Sequence, residues 1–122
     1  MNAEQVHPEQ VPSPLTRSWQ AVVTALDAVE AAVAASDWAG AGRCNRELHL
    51  ALETFDAVLV TQRDGLTSVQ IRSVLGAFEA MVARHERCTE ALHVARSRLA
   101  LEIAAVRESH LGARKYLEAA GP

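Results

Sequence analysis

The chain has 122 residues, 12 basic and 15 acidic, for a net charge of −3; 49% of it is apolar, with only five aromatic residues. That length suits one domain with one modest core. The basic residues that gather between Arg84 and Lys115 are broken up by Glu86, Glu90, Glu102 and Glu108, which argues against a nucleic-acid surface.

No apolar run is long enough to suggest a membrane span, and the first residues lack the basic-then-apolar order of a signal peptide. Cys44 and Cys88 sit inside helical patterns, without disulfide or zinc spacing. A cytoplasmic protein is expected, with no cofactor and no metal.

Residues 1–13 contain Pro8 and Pro12 among Glu, Gln and Asn, and are expected to form a disordered arm. Residues 14–122 are expected to form a single helical bundle domain. The first helix is predicted with Ser13 as N-cap and Pro14 at its first position, where a missing N–H costs nothing. Leu15, Trp19, Val22, Val23, Leu26, Val29 and Val33 make one apolar face, and the helix is expected to end near Ala35.

Ser36 and Asp37 are read as capping a second helix that Trp38 opens. Its stripe is Trp38, Ala41, Cys44, Leu48, Leu52, Phe55 and Leu59. The short junction predicts an antiparallel hairpin. Gly40 and Gly42 either weaken the first turn or admit the first helix closely. Both tryptophans are expected as core anchors, with a partner-facing role for one as the alternative.

Gln62–Leu66, centred on Asp64-Gly65, predicts a turn, and Thr67 with Gln70 a capping box. A third helical pattern then runs for about 50 residues without proline, roughly 75 Å against roughly 30–35 Å for each earlier helix. Its heptad seam is Ile71, Leu75, Phe78, Val82, His85, Leu92, Leu99, Ile103, Val106, His110, Ala113 and Leu117, with Thr89 and Arg96 as polar interruptions. Met81, Val94 and Leu101 lie off that seam. Two short helices cannot cover so long a third. A break is therefore expected near Ala104–Ser109, followed by a short C-terminal fourth helix. The fold class is all-α: an antiparallel helical hairpin packed on one long third helix, with that fourth helix folding back.

Chemistry-bearing patterns are sparse. Glu90 and His93 have the Glu-x-x-His spacing of di-iron bundles, which need two such pairs and two further glutamates; this chain has one pair. His85 and Cys88 stand at i, i+3, without a visible orienting group or oxyanion hole. No enzyme is expected.

The layout as a whole resembles the FliT type of flagellar export chaperone. Trp19 in the first helix, Asp37-Trp38 opening the second, Leu92 to Leu99 with scattered arginines in the third, and Ala113-Arg114-Lys115-Tyr116 near the end carry the resemblance over residues 15–118. It implies a cytoplasmic protein of type III export that holds the C-terminal helical region of the filament-cap protein FliD in an apolar groove. On that resemblance the client-binding residues are Leu92, Leu99, Ile103, Val106, Leu111, Tyr116 and Leu117. Further partners it implies are the export ATPase complex, the export gate and the flagellar master regulator. A self-associating helical bundle, such as a homodimer, is the alternative.

Overall fold

The computed structural model describes residues 12–120. Among them the chain is all helix: α1 (Ser13–Ala34), α2 (Trp38–Gln62), a short 3-10 turn (Arg63–Gly65) and α3 (Ser68–Ala119). The disordered arm expected over 1–13 falls, for residues 1–11, outside the described residues.

The cap of α1 sits one residue earlier than predicted. Pro12 is the N-cap and Ser13 is already helical, with no side-chain cap bond. Pro12 serves because its carbonyl accepts from the Thr16 amide at 3.1 Å, while the absence of an amide hydrogen on Pro14 costs nothing in the first turn.

The junction between α1 and α2 is a Schellman-type stop. The Ser36 amide donates to the Val33 carbonyl and the Asp37 amide to the Ala32 carbonyl, at 3.0 and 2.9 Å. This geometry puts Ser36 at φ 55°, a left-handed conformation that glycine adopts more readily. The next residue restarts the helix: the Asp37 carboxylate accepts from the Gly40 amide at 2.9 Å, capping α2 as the sequence predicts. The chain thereby doubles back and α1 packs on α2. Trp19 meets Phe55 there, with ring centroids 5.0 Å apart and planes tilted by 60°.

Gly40 is not a window for the first helix. A Cβ at this position would fall 2.1 Å from the Asp37 carboxylate oxygen, so the glycine leaves room for its own helix cap. At Gly42 a Cβ would meet only Arg46, at 4.0 Å.

The capping box of α3 is reciprocal, as predicted. The Thr67 amide donates to the Gln70 side-chain oxygen at 2.8 Å, and the Gln70 amide to the Thr67 hydroxyl at 3.2 Å.

The chain divides into two compact units after Thr89. The first holds the hydrophobic core: Leu15, Trp19, Val22, Leu26 and Val29 from α1, Leu48 and Phe55 from α2, and Val74, Ala77, Met81 and Cys88 from α3. Trp19 is fully buried, whereas Trp38 is 38% exposed and is no core anchor. As the first residue of α2, Trp38 has no preceding turn to pack against.

The core face of α3 is not the heptad seam read from the sequence. Val74, Ala77, Met81, Arg84 and Cys88 are buried, while Ile71, Leu75 and Phe78 are exposed. The two rows have the same three- and four-residue spacing and lie roughly 100° apart around the helix. Polar partners explain the choice. The Arg84 guanidinium donates through Nε to Glu30 at 3.1 Å and through Nη2 to Asp27 at 2.6 Å, and Nη2 also reaches Glu30. Only the row containing Arg84 brings that side chain to the acidic pair on α1.

The expected break at Ala104–Ser109 is absent. α3 is assigned as one helix to Ala119, and no separate fourth helix occurs among the described residues. A helix satisfies its backbone hydrogen bonds internally whether or not its side chains are covered. Leu99–Arg107 is made almost entirely of good helix formers, and Gly112 alone costs only about 1 kcal/mol. Surplus length therefore gives exposed surface here rather than a fold-back.

Candidate functional site

The seven residues named as a client surface all lie in the second unit, from Glu90 onward. None of its described residues is buried. Leu92 is half-buried, while Leu99, Ile103, Val106 and Leu117 are 55%, 43%, 68% and 68% exposed. At about 100° per residue, these five fall within one stripe together with His110 and Ala113. Heptad spacing holds that stripe together over roughly 39 Å of helix.

Leu111 and Tyr116 do not join it. Both are exposed, but each projects roughly 110° from the stripe, on opposite sides. The resemblance puts them with Leu117, but in one continuous helix their spacing separates them. Val94 and Leu101 form a further exposed pair on the opposite flank, the latter being 73% exposed. Arg114 and Glu118 make an i, i+4 ion pair at 3.4 Å across the last turns.

The stripe is apolar but interrupted by Arg96 and His110, both exposed. What such a face can do is exclude water against a complementary helix or groove.

A second apolar feature, missed in the sequence reading, lies within the first unit. Leu48 and Leu52 of α2 and Phe78, Met81 and Val82 of α3 line an open groove of about 330 Å³, rimmed by His49, His85 and Glu86. The signal for it was present: α3 carries two apolar rows between residues 71 and 88, and only one can face the core. His85 is held at its ring Nε2 by the Asn45 side-chain oxygen at 2.8 Å.

The two catalytic-looking pairs sit in different surroundings. Burial pushes the Cys88 thiol above its ordinary value of 9.0, Glu30 adds to the rise, and Arg84 and Arg87 oppose it. A nucleophilic cysteine requires the opposite shift. Glu90 and His93 are both exposed, and no group of three or more potential metal ligands gathers among the described residues. Among those residues no helix is long and apolar enough to cross a membrane.

No protein-family model, no curated protein and no solved structure matches the chain.

Proposed function

We propose that this protein is a helix-binding chaperone of the FliT type, acting through the exposed stripe Leu92–Leu99–Ile103–Val106–Leu117. One observation carries the reading: a helical segment in which every apolar side chain of a regular seam is left wholly or partly in water. A client supplying an amphipathic helix would remove that surface from water and bury its own aggregation-prone face in return.

The identity of the client rests on the resemblance in layout. In this reading it is the C-terminal helical region of FliD, held before premature assembly and delivered to the export apparatus in the cytoplasm. In this reading the unit that ends at Thr89 holds the hydrophobic core, and the binding segment belongs to the unit that follows it. Since α3 continues unbroken through residues 107–119, client binding requires no displacement of a closing helix. The mechanism is coverage of an open face.

The test is co-expression of FliD with the full chain or with a chain lacking residues 107–122. The reading requires the full chain to keep FliD soluble and monomeric. The truncated chain, which loses Leu117, His110 and Ala113 from the seam, must do so less well. Equal protection by both chains would remove the stripe from the account. Self-association through the same face is the second reading, favoured by the heptad spacing itself.

A further inference from the structure

We propose that Cys44 and Cys88 close a reversible intramolecular disulfide on exposure to peroxide, a redox staple between α2 and the first turns of α3. The site is separate from the exposed stripe and from any client, because both residues lie in the unit that ends at Thr89.

Both cysteines are free thiols. Cys88 belongs to the hydrophobic core, and Cys44 packs against that same core from α2. Their level along the unit follows from contacts on either side. α2 and α3 run antiparallel: Asn45 meets His85 at 2.8 Å, while Leu48 and Leu52 share a groove with Phe78 and Met81. Stepping back from Asn45 to Cys44 and on from His85 to Cys88 therefore moves the same way along the unit. At 1.5 Å per residue the two cysteines end roughly 3 Å apart in height.

α1 marks the same level. Trp19 against Phe55 sets the register of the hairpin, and equal steps from that pair, forward on α1 and back on α2, arrive at Glu30 and Cys44. Glu30 accepts from Arg84, one turn before Cys88, and its charge acts on the Cys88 thiol. A disulfide asks for about 4.4–6.8 Å between Cα atoms. With helix axes about 8–10 Å apart and Cα atoms about 2.3 Å off each axis, core-facing residues at one level fall near that span.

The two thiols differ in access, which orders the chemistry. Cys44 is half-buried and Cys88 buried, and burial also holds the Cys88 thiol protonated above its ordinary value. Hydrogen peroxide therefore reacts at Cys44. The Cys44 thiolate attacks one peroxide oxygen, the O–O bond breaks, and hydroxide takes up the thiol's proton as water, leaving a sulfenic acid. The Cys88 sulfur then attacks the Cys44 sulfur, the S–O bond breaks, and hydroxide leaves with the Cys88 proton as a second water. The two thiols lose two electrons and two protons, and one peroxide becomes two waters. A small thiol reverses the bond by exchange. Bonds of this kind in a reducing compartment are transient and act as sensors.

The experiment uses the full chain and no client, so its failure is separable from failure of the chaperone reading. The folded chain is treated with hydrogen peroxide, alkylated, digested and read by mass spectrometry. The expected product is a single chain lighter by two hydrogens, with the Cys44 and Cys88 peptides joined. Its melting temperature should exceed that of the reduced chain by roughly 5 °C or more and fall back with dithiothreitol, as for a bond that restricts the unfolded chain. Cys44→Ser should leave Cys88 a free thiol after the same treatment, with helicity retained. Cys88→Ala should strand Cys44 as a sulfenic acid that dimedone captures. Two thiols still free after peroxide, a bond formed only between chains, or an oxidised chain no more stable than the reduced one would each overturn the proposal.

Discussion

The contact between Arg84 and the acidic pair on α1 gives a sharp quantitative prediction. The Arg84 side chain is only 8% exposed, whereas those of Asp27 and Glu30 are 62% and 37% exposed. The desolvation burden of the cluster thus sits on the guanidinium. Removing Glu30 takes away the carboxylate that this buried cation meets through both Nε and Nη2. Since hydrogen bonds to charged groups contribute about 1.5–3 kcal/mol each, Glu30→Ala should cost about 2–3 kcal/mol. Asp27→Ala should cost less, about 1 kcal/mol, because that carboxylate is mostly solvated and already screened.

Arg84→Met removes the bridge and the buried charge together and keeps an apolar stem. It should cost no more than about 1 kcal/mol, in line with other exchanges of a buried ion pair for an apolar side chain. In the Arg84→Met background Glu30→Ala should then cost less than about 0.5 kcal/mol, as for an ordinary surface substitution. Urea unfolding followed by circular dichroism at constant m-value measures all four. If Glu30→Ala costs the same with and without Arg84, or if Arg84→Met is the worst of the set, the bridge does not select the core face of α3.

Three further predictions follow from local geometry. Gly40→Ala should be nearly neutral, because the roughly 1 kcal/mol gained in helix propensity is offset by eviction of the Asp37 cap; in an Asp37→Ala background the same substitution should stabilise by about 1 kcal/mol, as thermal melts of the four chains would show. Ser36→Gly should stabilise by about 0.5–1 kcal/mol by relieving the left-handed residue at the stop of α1, and a lowered melting temperature would refute the Schellman reading. The Cys88 thiol has its pKa raised on folding, so above the ordinary value of 9.0 the unfolded chain holds fewer protons than the folded one and stability must fall as pH rises; Cys88→Ala should flatten that alkaline slope in urea titrations.

The turns were legible because their chemistry is local. Thr67 and Gln70 need only each other, and Asp37 needs only the Gly40 amide three residues on. The apolar faces of α1 and α2 were legible because each has a single apolar row. α3 was harder, since Ile71–Leu75–Phe78–Val82 and Val74–Ala77–Met81–Cys88 are equally periodic. What separates them is a long-range contact from Arg84 to Asp27 and Glu30, 57 and 54 residues away, which no periodicity reveals.

The continuous α3 was misjudged for a different reason. Uncovered length was expected to force a fold-back, yet nothing in Leu99–Leu117 opposes helix strongly enough to break it. At the candidate site, the shared face of Leu92, Leu99, Ile103, Val106 and Leu117 was readable from spacing. Leu111 and Tyr116 came with the resemblance, and the register of one continuous helix sets them off the stripe.

Calorimetric titration of the full chain with the C-terminal segment of FliD tests the central claim most directly, with Leu99→Asp titrated beside it. The account predicts saturable binding at one segment per chain, weakened at least tenfold by the substitution while helicity is unchanged. No heat of binding at tens of micromolar, or binding that Leu99→Asp leaves untouched, would contradict it.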